Sequence, residues 1–454
     1  TPRNDRWRLC YTCLKYMDQL LIGWYAFLDL AGESPFVAMW YVFINGGWIA
    51  VTILFFWALA HYWLELRQGA FNAKKEWILL SISVPRVTEQ TPRAVENIFA
   101  HLAGAHSSNS VKEKWIDGKT QDQISVEIIS TEGRVIFLVY TTRKYRDLIE
   151  ATIYAQYPDA EISEVEDYTL QVPAQYPDPE WDLFGVEMVK VREDFYPIRT
   201  FHEFEDKVSG ELKDPMAVVL ESLSRLGPGE CAWYQIVLTP IEQSEFRKAG
   251  EAFVKKLTGQ KVESKPGIAE SIISYPFKLL VHLFQGLGII PTPEALKKQD
   301  NPFSGKVFNL TPGERKVLEA VEMKLSKIVF KCKIRFIYVA KKEVFKKARI
   351  LYSFIGGIKQ FNTNDMQSLK PETKRVGVSS TLHVFKDLRN SKRKTRLMKA
   401  YRSRSNWVGI PGFHMNIEEL ASLWHFPISI QTKSPQLQKT EAKRSEPPYN
   451  LPFG

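Results

Sequence analysis

ISVEIISTEGRVIFLVYT, residues 124–141, reads as two strands folded back on one another. Residues 124–129 and 134–141 are rich in β-branched and aromatic side chains, and Glu132-Gly133 between them is a hairpin signal. Upstream, Trp77–Val84 (WILLSISV) reads as another strand, ending at Pro85. Thr91 and Pro92 then open a helix, with a hydroxyl at the N-cap and proline at the first helical position. Val95, Ile98, Phe99 and Leu102 fall at i, i+3, i+4 and i+7, which gives that helix one apolar face. Downstream, a helix from Arg143 to Gln156 buries Leu148, Ile149 and Ile153, and Ala160–Val165 reads as a strand.

The order is β-α-β-β-α-β, the split βαβ arrangement of ferredoxin-like folds, with one face of an antiparallel sheet left for the helices. A proline-rich bridge from Val172 to Pro179 closes this domain. Beyond it, strands are expected at 184–192, 231–238, 329–340 and 376–384. Helices are expected after Asp214-Pro215, after Thr239-Pro240, after Thr311-Pro312 (with Glu314 placed for a capping box) and over 344–358. The segment 259–310 is an insertion, apolar in part but broken by Pro276, Gly286 and Gly288. It either touches a membrane or is a helix docked on a neighbouring domain or subunit.

Phe36–Ala60 (FVAMWYVFINGGWIAVTILFFWALA) holds 25 residues without a charge. A spanning helix needs about 20 apolar residues. Trp40, Tyr41, Tyr62 and Trp63 lie near its ends, where aromatic rings favour the membrane interface. The flank before it carries Asp29 and Glu33, and the flank after it Arg67, Lys74 and Lys75, so the C-terminal bulk is expected in the cytoplasm. Residues 10–30 read as an interfacial helix, with a second, tilted span as the alternative.

The expected fold class is α+β: an N-terminal transmembrane helix followed by two ferredoxin-like (split βαβ) α/β sandwich domains, the second with a helical insertion. The boundaries are 1–76 for the membrane anchor (transmembrane helix 36–63), 77–175 for the first domain, 181–430 for the second, and 431–454 for a flexible tail.

Charge is unevenly placed. Residues 301–404 hold 26 Lys and Arg against 7 Asp and Glu, while the whole chain is only +10. Such a field draws polyanions: nucleic acid, anionic lipid or an acidic protein. Lys331, Lys333 and Arg335 alternate on one strand and share a face. Lys386, Arg389, Lys392, Arg393, Lys394, Arg396, Lys399, Arg402 and Arg404 follow in a run with no coherent apolar stripe, expected as a basic loop or frayed helix over 386–404. These twelve residues are the candidate nucleic-acid or lipid contacts, with plain solvation of the face as the other reading. They can neutralise phosphates without reading bases.

No catalytic motif accompanies the charge. Gly118-Lys119-Thr120 resembles the end of a phosphate-binding loop, but position 113 is Glu113 where a glycine is needed, so it reads as a surface turn. Cys10 and Cys13 lack the second pair that a zinc site requires, and the histidines are scattered. No catalytic residue, cofactor or metal is expected.

Several segments together resemble the membrane-proximal, non-ATPase region of bacterial type IV secretion and conjugative coupling-protein-like (TraG/TraD/HerA-like) ATPases. They are AQYPDAEISEVEDY (155–168), FYPIRTFHEFE (195–205), DPMAVVLESLSRLGPGECAWYQIVLTP (214–240), FIGGIKQFNTNDMQSLKP (354–371) and GFHMNIEELASLWHFP (412–427). In the last, Asn416 is placed to cap a short helix, with Glu419 at its third position. The resemblance implies an adaptor at the inner membrane that positions a P-loop translocation ATPase, supplied in cis or in trans, and that self-associates. The family's ATPase motor has no counterpart among these residues, so a non-catalytic role is expected, with DNA and the membrane as further partners. The rival expectation is a membrane-surface scaffold with no nucleic-acid role.

Overall fold

The computed structural model describes residues 34–85, 90–205, 213–259, 310–373, 375, 377–378 and 385–428. The expected interfacial helix 10–30, most of the insertion 259–310 and the tail 431–454 lie outside the described residues. The chain divides into two compact units: one includes residues 34–75 and 108–120, the other 76–107 and 121 onward.

In the first unit, helix α1 (Pro35–Val42) runs through a π-helical turn (Phe43–Gly47) into α2 (Trp48–Ala73). Gly46 sits at φ +111°, where glycine meets no Cβ penalty. The transmembrane helix expected over 36–63 is therefore not found as one continuous helix, and no helix among the described residues is long and apolar enough to cross a membrane. The polar end of α2 carries a second segment. Trp63 Nε1 donates to Trp115 O at 3.2 Å, Arg67 Nε to Ile116 O at 2.7 Å, and Thr120 Oγ1 to Asn72 Oδ1 at 2.7 Å. Gly118 turns at φ +71°, and a Cβ there would lie 2.4 Å from the Arg67 backbone. The glycine that imitated a phosphate loop is thus a close-packing position.

The second unit is mixed α+β, built on one antiparallel sheet of nine strands among the described residues. Its first half contains β1 (Trp77–Ser83), α3 (Pro92–Leu102), β2 (Ile124–Thr131), β3 (Arg134–Thr142), α4 (Arg146–Gln156) and β4 (Glu161–Glu164). Strands β2 and β3 meet at Glu132 (φ +54°) and Gly133 (φ +86°), the conformation of a two-residue hairpin turn. Helix α3 buries Val95, Ile98, Phe99 and Leu102 as its spacing demands. The Thr91 hydroxyl makes no cap hydrogen bond, so its helix start rests on Pro92 and this apolar face.

The second half contains β5 (Trp181–Lys190), α5 (Ala217–Ser224), β6 (Glu230–Pro240), α6 (Gln243–Leu257), α7 (Pro312–Ser326), β7 (Val329–Lys341), α8 (Lys347–Lys359) and β8 (Leu369–Glu372). The sheet order is β4-β1-β3-β2-β6-β7-β5-β8, so each half repeats the same strand sequence outward from the centre. Where the first half has a two-residue turn, the second has α6, the insertion and α7.

The two halves are not separate sandwiches. Strands β2 and β6 pair from Ile124↔Leu238 to Thr131↔Cys231, fusing them into one sheet. The boundary expected near 175–181 therefore separates no structural bodies. The strand expected over 376–384 falls mostly outside the described residues, and the edge position is taken by β8 instead.

The C-terminal part straps the halves together. Strand β9 (Phe413–Asn416) takes the end of β7 that β5 leaves free, pairing Val329↔Asn416 to Cys332↔Phe413. Helix α10 (Ile417–Leu423) then packs on α3. Asn416 and Glu419 form a complete capping box, and buried Glu419 also pairs with buried Lys324 at 2.8 Å. Trp424 and Phe426 insert among Phe99, Phe137 and Tyr157. Each such aromatic side chain, once buried, contributes about 1.5–3 kcal/mol.

Both sheet faces are covered. Ile128, Tyr234 and Phe336 face the main helical layer. Ile129, Trp233 and Ile337, of opposite parity, face a second core with Tyr168 and with Val172 and Tyr176 from the proline-rich bridge. The same core receives Leu397, Met398 and Tyr401 from α9 (Lys386–Arg402), so of the two forms expected over 386–404, a basic loop or a frayed helix, the chain takes a helix. Its apolar contacts are confined to the last turns, too few to stand out among its eight basic residues.

Candidate functional site

The second face carries a line of polar side chains running across four strands in register. Glu127 on β2 stands opposite Gln235 on β6, Gln235 opposite Arg335 on β7, and Arg335 opposite Glu187 on β5. Each touches the next: Gln235 Nε2 donates to Glu127 Oε1 at 2.9 Å, Arg335 Nη1 to Gln235 Oε1 at 3.2 Å, and Arg335 Nε to Glu187 Oε1 at 2.8 Å. All four are fully buried. Burial pulls the Arg335 pKa down, and the charge of Glu187 works against that pull.

The chain after α9 closes over this line. Arg404, fully buried at φ +48°, reaches Glu127 and forks onto Asp167. Tyr168 donates its hydroxyl hydrogen to Glu127 Oε2 at 2.7 Å and lies 2.9 Å from the Tyr401 hydroxyl. Lys333, 2% exposed, donates to the carbonyls of Asn406 and Val408 at 2.8 and 2.9 Å. Burial depresses its pKa to about 8.

Three of the twelve expected contact residues are therefore corrected. Lys333, Arg335 and Arg404 do share one side of the sheet, but that side is roofed by α9 and the loop after it. Their charges are spent on internal carboxylates and carbonyls, and none faces solvent. Two more are half-buried staples: Lys394 pairs with Asp182, and Arg402 Nη2 donates to Thr169 O at 2.7 Å. Arg393 is half-buried and donates to Gly377 O at 3.0 Å. Arg389 is half-buried on the same helix.

Lys331, Lys386, Lys392, Arg396 and Lys399 are exposed. Lys392, Arg396 and Lys399 fall at i, i+4 and i+7, which aligns them as one outward stripe on α9. The structure thus brings a short cationic ridge together from the expected set and leaves Lys331 apart on β7. Sequence reasoning missed Glu127, Glu187, Asp167 and Gln235, the partners that take up the basic charge. Charged residues inside otherwise apolar strands were the available signal.

Among the described residues no group of three or more His, Cys, Asp or Glu side chains could hold a metal ion. His425 is buried, with Nε2 3.0 Å from Asp214 Oδ1 and Nδ1 2.8 Å from Ala421 O, a structural link between α10 and the start of α5.

Comparison with known proteins supplies a family without a function. The family model described as Domain of unknown function (DUF8128) matches residues 73–439, and the chain belongs to that family. No curated protein matches the sequence.

Proposed function

We propose that this member of the family is a membrane-associated, non-catalytic adaptor whose α+β body presents a cationic ridge to a polyanion. The observation that carries the reading is the exposure of the α1–α2 run. Ile53, Leu54, Phe55, Phe56 and Trp57 are each more than 60% exposed, and successive helical residues rotate by about 100°. Apolar side chains therefore cover every side of the helix, a pattern that suits a bilayer and not water. Neither helix suffices alone, so the proposal requires α1 and α2 to act as one span across their π-turn. The basic flank of Arg67, Lys74 and Lys75 supports an α+β body on the cytoplasmic side of the inner membrane.

The finer fold reading is two ferredoxin-like units joined edge to edge, supported by the repeated strand order in the two halves. Together with the resemblance to the membrane-proximal region of coupling-protein-like ATPases, this supports an adaptor for a type IV secretion or DNA-transfer motor. The P-loop ATPase acts in cis or in trans, DNA is the polyanion, and the adaptor self-associates around the motor.

A second reading, a membrane-surface scaffold with no nucleic-acid role, is favoured by the internal use of Lys333, Arg335, Lys394, Arg402 and Arg404. Flotation of the full chain with vesicles tests the membrane claim. Wild type should float, and Leu54→Glu with Phe56→Glu should abolish flotation. A wild-type chain that stays at the bottom of the gradient overturns the proposal. Salt-dependent binding to single- and double-stranded DNA, set beside binding to anionic vesicles, separates the two readings.

A further inference from the structure

A cavity of about 390 Å³ opens beside α9 on the second face of the sheet. Arg393, Arg396 and Ala400 line it from the helix, at spacings that place them on one side. Val408 and Gly409 also line it, with Glu187 and Arg375. The space is built by small residues. Ala400 leaves room beneath the arginines, and Gly409 (φ +101°) approaches Glu187 so closely that a Cβ would lie 2.3 Å from its carboxylate oxygens.

Among the described lining residues the one carboxylate, Glu187, is already engaged, by Arg335 Nε at 2.8 Å and by the backbone N–H of Ile410 at 2.8 Å. Arg393 is oriented by its hydrogen bond to Gly377 O. The Arg375 and Arg396 side chains have no hydrogen-bond or ion-pair partner among the described residues, and both are exposed. The Arg375 and Arg396 guanidinium groups on one cavity repel one another unless an anion sits between them. A guanidinium fork matches the oxygens of a phosphoryl group, which it grips through two parallel hydrogen bonds.

We propose that this cavity binds a phosphoryl group, held by Arg375, Arg393 and Arg396. The inference deepens the reading of α9 as the anion-facing element; it stands on the cavity, which shares Arg396 but neither Lys392 nor Lys399 with the outward stripe. The phosphoryl group belongs to a polynucleotide backbone, a lipid head group or a free polyphosphate, and the same chemistry serves all three.

Calorimetric titration of the full chain in detergent with sodium pyrophosphate, against sodium sulfate at equal ionic strength, tests it. Saturable pyrophosphate binding at one site is expected, with a rise in melting temperature that sulfate does not match. Arg375→Gln with Arg396→Gln should weaken binding at least tenfold and leave the ligand-free melting temperature unchanged, because neither side chain holds the fold. Arg396→Lys, which keeps the charge and loses the fork, should weaken it several-fold. Lys392→Gln with Lys399→Gln should leave it intact.

Competition by a single-stranded oligonucleotide or by phosphatidic acid vesicles identifies a polymeric or lipid source, and competition by neither identifies a free phosphate compound. Absence of saturable pyrophosphate binding, or binding indifferent to the Arg375/Arg396 double change, overturns the cavity assignment. Oligonucleotide binding that survives loss of Lys392 and Lys399 instead overturns the outward-stripe reading and leaves the cavity standing.

Discussion

Arg404 Nε lies 3.1 Å from Glu127 Oε1, although 277 residues separate the two along the chain. Glu127 belongs to a central strand of the first half, and Arg404 follows the basic helix of the second, so the contact locks that helix onto the joined sheet. Burial acts against the charge on Arg404, but Glu127, Tyr168 and Asp167 outweigh it and push its pKa well up. Breaking a buried pair by removing one partner leaves the other charge uncompensated, at a cost of about 3–5 kcal/mol. Arg404→Met should lower the urea midpoint accordingly. A double-mutant cycle with Glu127→Gln should show strong coupling, and additive losses would mean that the contact is not a unit.

Acid should weaken the fold through specific carboxylates. Burial raises the Asp214 pKa, but His425 and the backbone N–H groups of Met216 and Ile428 overcome it and hold the group below its ordinary 3.8. Asp167 is likewise held low, against burial, by the hydrogen bonds and charge of Arg404. A depressed carboxylate stabilises the fold above its unfolded pKa, and that contribution fades as pH falls through the folded value. Urea midpoints should therefore drop as pH falls below about 4. Asp214→Asn should flatten that dependence, and an unchanged slope would exclude Asp214 as a source.

Gly118→Ala should loosen residues 108–120 from α2. The alanine would need a positive φ and would press its Cβ into the Arg67 backbone at 2.4 Å. Strain at such a position costs about 1–3 kcal/mol. Hydrogen exchange should rise at Lys119, whose N–H is bonded to Glu113 O at 3.0 Å, while exchange in β2 and β6 stays slow.

The buried and outward cations should behave differently toward polyanions. Lys392→Gln and Lys399→Gln should each reduce the salt dependence of DNA binding by about one unit of slope. Lys333→Met should leave that slope unchanged, because Lys333 bonds carbonyls beneath the roof of α9. Equal effects from all three would place Lys333 at the binding surface and contradict its burial.

Local signals in the sequence carried well. The turn at Glu132-Gly133, the apolar face of α3, the box of Thr311 with Glu314 and the box of Asn416 with Glu419 all depend on residues within one or two turns of each other. Strand β8 was illegible because its four residues, Leu369–Glu372, include a proline and two charges and show no alternation beyond the edge. The sequence did not separate loop from helix over α9, because its apolar inward contacts begin only at Leu397, after a charged first half.

The sequence by itself determined the strands and helices with a clear apolar period, and that Lys331, Lys333 and Arg335 share a parity, because backbone geometry imposes period 2 on a strand and 3.6 on a helix. Only the tertiary structure decided that the halves share one sheet and that α9 roofs the basic side of β7. It also decided that two of those three cations are interior. Pairing between β2 and β6 and the reach of Arg404 to Glu127 join residues far apart in the chain. Whether a charged face meets water or a carboxylate depends on what folds over it, and periodicity holds no record of that.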